Sequence, residues 1–162
     1  MSLIKINNNT LSAITGLPAG VGGKVLQVVN SKYGTLVTSS SSTWSDTGLT
    51  ASITPSSASN KILVFANIAG LSKSDGSNTY MGLRLLRGAS EIFSLATQSG
   101  YTNSTARDSM GGDGLNYLDS PGTTSSTTYK VQFRNTPATG EVTVNDGTAL
   151  DGSTITLMEI VV

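Results

Sequence analysis

From residue 24 onward, apolar and polar positions take turns along the chain. Leu49, Ala51 and Ile53 alternate with Thr50, Ser52 and Thr54, and Tyr129, Val131 and Phe133 alternate with Lys130, Gln132 and Arg134. Successive side chains of a strand point to opposite faces, so a period of two puts one face on a core and the other in water. Residues 61–69, KILVFANIA, are almost continuously apolar, which predicts a central strand covered on both faces. Further strands are predicted over 25–29, 79–87, 92–96, 115–118, 142–144 and 154–162, and no window of a dozen residues carries a helical apolar stripe. Turn chemistry fills the intervals: Asp75-Gly76, Gly111-Gly112-Asp113-Gly114, Ser120-Pro121-Gly122, Asp146-Gly147 and Asp151-Gly152. About eight short strands separated by such turns predict an all-β protein, an antiparallel β-sandwich or jelly roll.

The first 23 residues, MSLIKINNNTLSAITGLPAGVGG, break the pattern. Leu3, Ile4, Ile6, Leu11, Ile14 and Leu17 are spaced too irregularly for a helix or a strand, and Asn7, Asn8 and Asn9 interrupt them. Pro18, Gly20, Gly22 and Gly23 then read as a linker. Two readings stand: a frayed terminus, or an extended arm that docks its apolar residues onto a neighbouring subunit. The chain therefore divides into an N-terminal arm and linker, 1–23, and one β-sandwich domain, 24–162, a size that suits a single core.

Composition narrows the chemistry. The 162 residues include no histidine and no cysteine but 24 serines and 22 threonines. Without histidine there is no Ser-His-Asp triad, no His-ligated zinc and no histidine pH switch. Without cysteine there is no disulfide, thiolate nucleophile or iron–sulfur ligation, so stability rests on packing or on association with other chains. Threonine suits solvent-facing strand positions and serine suits turns, although the tracts 38–43 and 123–128 read equally as low-complexity loops. Charged residues make up 12% of the chain, and ten positive charges cancel ten negative ones. That neutral surface argues against nucleic acid and against an anionic membrane as partners. No apolar run approaches a membrane span and no signal-peptide core precedes the body, which predicts a soluble protein made in the cytoplasm.

Few residues remain as candidates for a site. Asp108, Asp113 and Asp119 could in principle supply paired carboxylates for glycoside hydrolysis, but each sits in turn-like sequence where capping a turn explains it. Asp75, Asp113, Asp146 and Asp151 offer hard oxygen ligands for calcium, yet none falls in a calcium-loop motif, so no metal and no cofactor is predicted. Glu159 stands out because alternation through Ile155 and Leu157 points it into the core, and a buried carboxylate needs a partner. Arg84, within the apolar stretch MGLRLLR, is one candidate partner, in an ion pair or at a subunit interface; a bulge near Met158 that turns Glu159 outward is the other solution. Tyr33, Trp44, Tyr101 and Tyr117 could stack on sugars or anchor an interface, or simply pack at the rim of the core.

Three stretches resemble a known group of proteins: TGLTASITPSSASNK at 47–61, NYLDSPGTTSSTTYKVQF at 116–133 and STITLMEI at 153–160. Over residues 22–162 the chain is similar to small virion proteins of tailed bacteriophages, many of them from marine and cyanobacterial phages, which occur as fibre-tip or head-decoration modules. The resemblance implies a jelly-roll-like β-sandwich, assembly as a homotrimer, and no catalytic residues. Within that group, a decoration or cement protein is the expected role: a fibre reaching a distant receptor needs a long shaft, whereas this chain shows a compact body and an apolar arm. Its partners are then further copies of itself in a homotrimer and the major capsid protein or other virion subunits, held by the arm. The alternative is a tail-fibre or tail-tip protein whose loop over 99–113 touches host glycans through Tyr101, Asn103 and Asp113. A polysaccharide depolymerase built on carboxylates ranks third.

Overall fold

A computed structural model describes residues 24–74, 79–101, 108–136, 140–147 and 152–162. Ten strands follow one another: β1 (Val25–Tyr33), β2 (Val37–Ser39), β3 (Ser45–Ile53), β4 (Lys61–Ser74), β5 (Tyr80–Arg87), β6 (Ser90–Ser99), β7 (Asp108–Asp119), β8 (Thr127–Thr136), β9 (Glu141–Val144) and β10 (Ser153–Ile160). Every pairing between them is antiparallel. One sheet runs β1-β10-β4, with β7 on the other side of β4, and the second runs β3-β8-β5-β6. These two four-stranded layers, with early and late strands interleaved in each, are the arrangement of a jelly roll. The short strands β9 and β2 extend the first sheet beside the far end of β4.

The period-two segments form these strands because alternate residues find a dry partner. β8 and β10 bury every second residue along their whole length, and Tyr129, Val131, Phe133, Ile155 and Leu157 meet Leu49, Ile53, Ile62, Val64, Leu83 and Leu85 between the sheets. Each such side chain contributes on the order of 1.5–3 kcal/mol by leaving water. Hydroxyls take the opposite face, as their strand propensity predicts: Ser52 and Thr128 face each other across β3 and β8 at 2.7 Å, and Thr38 faces Thr143 across β2 and β9 at 3.3 Å. Gly48 sits at a bulge in β3 with φ +87, where a Cβ would run into the Tyr33 ring.

Three expectations change. Thr38 and Ser39, expected within the loop tract 38–43, belong to β2, because Val37 and Ser39 turn inward beside β9. Gly111-Gly112-Asp113-Gly114, expected as a turn, lies inside β7 at a bulge against β4, where a Cβ on Gly112 would stand 3.0 Å from the Ile68 carbonyl oxygen. The glycines permit close strand approach there instead of a reversal. Finally, β4 is central in its sheet but covered on one face only: Ile62, Val64, Ala66 and Ile68 are buried, whereas Phe65 on the other face is exposed.

Candidate functional site

The first notable group forms around Glu159. β10 pairs with β4 without a register shift, so no bulge arises near Met158 and Glu159 points inward after Ile155 and Leu157, with no solvent exposure. The irregularity lies in β1 instead, between Val25 and Gln27, and it brings Gln27 opposite Glu159. Oε1 of Glu159 accepts from the Ser56 backbone N–H (2.7 Å), the Ser56 hydroxyl (2.7 Å) and the Asn60 amide (2.6 Å), while Oε2 accepts from the Gln27 amide (2.6 Å). Burial by itself would raise the pKa of this carboxyl; the donors from Asn60, Gln27 and Ser56 outweigh it and hold the pKa down to about 2, below the ordinary 4.5. Gln27 also donates to the Thr54 carbonyl, so the cage ties β1 and β10 to the loop before β4.

Arg84 is not the partner. It lies in β5 of the second sheet and faces outward, where its guanidinium bonds the Gln132 amide oxygen (2.6 and 3.0 Å) and Glu91 (2.9 Å). The same alternation that turns Glu159 inward on β10 turns Arg84 outward on β5, so an Arg84–Glu159 pair is geometrically closed.

A second buried carboxylate, Asp119, ends β7. It accepts from the Tyr129 hydroxyl at 2.6 Å and is held by Arg87 at 2.9 Å. Burial first, then this bond to Asp119, pushes the Tyr129 phenol far above its usual range. Glu159 and Asp119 both lie opposite Ile62, one on each side of β4, which sets them roughly two strand spacings, about 10 Å, apart. With Ile62 between them, and each carboxylate buried and saturated with donors, they cannot act together on a substrate. Their chemistry is that of fixed acceptors that lock strands in place.

The outer faces of the two sheets differ. On the second sheet, Arg84–Glu91, Lys130–Asp46 and Gln132 form a charged lattice, and Trp44 lies 4.3 Å from the Arg84 guanidinium and 4.5 Å from that of Arg134. On the first sheet the register lines up Val28, Met158, Leu63 and Leu118 in one row across β1, β10, β4 and β7. Val28 and Leu118 are 55% and 49% exposed, and Phe65, in the next row, is 42% exposed. Beside Phe65 an open hollow of about 350 Å³ is lined by Asn67, Gly114, Asn116, Thr154 and Thr156.

Of the remaining sequence candidates, Leu3, Ile4, Ile6, Leu11, Ile14, Leu17 and Asn103 lie outside the described residues. Tyr101 is exposed and tilts against Tyr80 at 6.0 Å. Asp113, expected in a loop with it, belongs to β7 and accepts from the Ser99 hydroxyl at 3.2 Å. Tyr117 packs on Phe93 at 5.4 Å, and Asp146 accepts from the Ser72 hydroxyl at 2.7 Å. Among the described residues no three acidic side chains gather into a metal-binding group. Sequence reading missed Gln27, Ser56 and Asn60 as the partners of Glu159, and Arg87 and Tyr129 as those of Asp119. A signal was present, because Ser56 and Asn60 lie in one resembling stretch and Glu159 in another, while Asp119 and Tyr129 share the third.

No family model matches the chain, and no curated protein matches it. Solved structures do. The VP2 subviral particle of infectious bursal disease virus matches at 10% identity over 83% of this chain and 39% of that one, with a TM-score of 0.45. Infectious bursal disease virus of the Gx strain matches at 10% identity over 86% of this chain and 32% of that one, with a TM-score of 0.47. A mutant VP2 of the same virus, in derived T=1 particles, matches at 15% identity over 82% and 33%, with a TM-score of 0.35. The chain thus spans about a third to two fifths of the length of these proteins.

Proposed function

We propose that this chain is a virion structural protein, a capsid decoration or cement protein that sits on the outer shell as a homotrimer and is held there by its N-terminal arm. One observation carries the reading: the three stretches that resemble phage virion proteins converge on the Glu159 and Asp119 groups, which brace a rigid jelly roll and serve no cleft. Such residues preserve a scaffold for packing, and the neutral, hydroxyl-rich surface suits a coat subunit. Leu3, Ile4, Ile6, Leu11, Ile14 and Leu17 are the anchors that would grip the major capsid protein or neighbouring virion subunits, by strand addition or apolar contact. Deleting residues 1–20 should leave a folded, soluble body that no longer binds shells; retained binding overturns the proposal.

A second reading, a tail-fibre or tail-tip receptor binder, draws on the exposed Tyr101 tilted against Tyr80, an aromatic surface suited to host glycans. Copy number separates the two: hundreds per particle for a decoration protein, far fewer for a fibre. In either role the protein is synthesised in the host cytoplasm and ends in the virion.

A further inference from the structure

The outer face of the first sheet is built to be covered. The run 61–69 has the composition of a strand buried on both sides, yet in the single chain only its inner side is covered. The neighbouring strands complete the anomaly. Val28, Met158, Leu63 and Leu118 form an unbroken apolar row across four strands, with Phe65 beside it and Val25, Leu26 and Ile160 at its margin. The rows on the Phe65 side carry Asn30, Thr156 and Asn116, then Lys32, Thr154, Asn67 and Gly114, so among the described residues of these four strands charge enters the face only at its ends, with Lys32 and Lys61; the acidic Glu141 and Asp146 lie beyond it, at the β9 extension. The charged lattice of the opposite sheet shows what a solvated face of this protein looks like, and this face lacks it.

We infer that a second copy of the same chain covers this face. A protruding apolar knob, Phe65, stands beside a hollow lined by Gly114, Asn116 and Thr156, and a knob and a hole adjacent on one surface are what a self-complementary contact requires. The uncharged centre lets two identical faces approach without opposing like charges. Seven residues of β10 pair with β4; at about 4.8 Å between strands and about 3.3 Å per residue, the four-stranded face measures roughly 440 Å² in plan. That is about half of the roughly 800 Å² per partner of a standard interface, so the row forms the dry centre and Lys32, Lys61 and the start of β1 form the rim. The contact pairs two copies about a two-fold axis, so it is separate from the contacts that would close the proposed homotrimer, and it does not depend on where in the virion the assembly sits.

The test uses the full chain in sedimentation velocity and light scattering at micromolar concentration. Wild type should have a mass of at least twice 16.6 kDa. Leu118→Lys and Phe65→Ser should each raise the dissociation constant by at least about tenfold, and together yield a monomer with the wild-type circular dichroism spectrum. Ser94→Lys, on the charged outer face of the second sheet, should change nothing. The chain has no cysteine, so Asn116→Cys and Ser94→Cys each carry a single thiol for a short crosslinker. Covalent dimers through position 116 and not 94 support the contact, even if a lysine variant fails to fold. A monomeric wild type overturns the inference and leaves arm-dependent shell binding as a separate question. An assembly that survives both face substitutions but is lost on deleting residues 1–20 overturns it in favour of the arm as occupant. An assembly that depends on Phe65 and Leu118 but binds no shell overturns the decoration reading and leaves this inference standing.

Discussion

Replacing Glu159 with alanine removes the acceptor at the centre of four hydrogen bonds of 2.6–2.7 Å. Bonds to a charged group are worth about 1.5–3 kcal/mol each, but their sum overstates the loss, because the variant no longer bears the cost of burying a carboxylate. What remains is the penalty for orphaned donors: the Asn60 amide, on a residue only 4% exposed, and the Ser56 backbone N–H beside it. Leaving a buried neutral donor without an acceptor costs about 1–3 kcal/mol each, so the loss is a large part of the 5–15 kcal/mol that holds a typical domain together. Glu159→Gln should lose less, roughly 1–2 kcal/mol. Its amide keeps one oxygen for Asn60 and Ser56, and Gln27 can turn its own oxygen toward the new NH₂ by giving up Thr54. Urea unfolding followed by the fluorescence of Trp44, at one fixed protein concentration, measures both. A midpoint for Glu159→Ala within about 1 kcal/mol of wild type, at equal denaturant slope, would refute the claim that the cage is a principal brace.

The same carboxylate sets a pH dependence. Its folded pKa of about 2 lies below the ordinary 4.5, so its stabilisation is fully present above about pH 4.5 and is lost as pH falls toward 2; the stability gap between wild type and Glu159→Gln should narrow over that window, and a constant gap contradicts it. Tyr129→Phe deletes the bond to Asp119 and should cost about 1.5–3 kcal/mol, read by the same unfolding curves. Gly48→Ala should destabilise by at least about 1 kcal/mol, because φ +87 and the Tyr33 ring both oppose a side chain there, and an unchanged melting temperature would show that β3 relaxes freely. Arg84→Ala, by contrast, removes a half-exposed ion pair and one cation contact with Trp44, so a change of no more than about 1 kcal/mol is expected in thermal unfolding.

Much of the body was legible before any coordinates. The alternation in 49–53, 129–134 and 155–157 placed strands and their inward residues, because a period of two is a local property of extended backbone, whereas the unshifted pairing of β10 with β4 decided between burial of Glu159 and an outward bulge. Glycine misled at 111–114, since the residue that permits a turn also permits a bulged strand pressed against its neighbour, and only β4 alongside distinguishes the two. Partners were illegible for a related reason. Glu159 could be known to need donors, but Gln27, Ser56 and Asn60 lie 99–132 positions away in the chain, and Arg84 was an equally good chemical candidate.

The sequence alone determined the all-β class, the face that the period-two strands turn inward, the absence of histidine and cysteine chemistry, and an oddly apolar β4. Strand order was decided only in three dimensions, where non-local pairing set β10 between β1 and β4 and β8 between β3 and β5. That order put Glu159 and Asp119 on either side of Ile62 and aligned Val28, Met158, Leu63 and Leu118 into one row. Local pattern fixes which way a side chain points, while register across strands decides which side chains it meets, and the candidate surface of this protein exists only in the second.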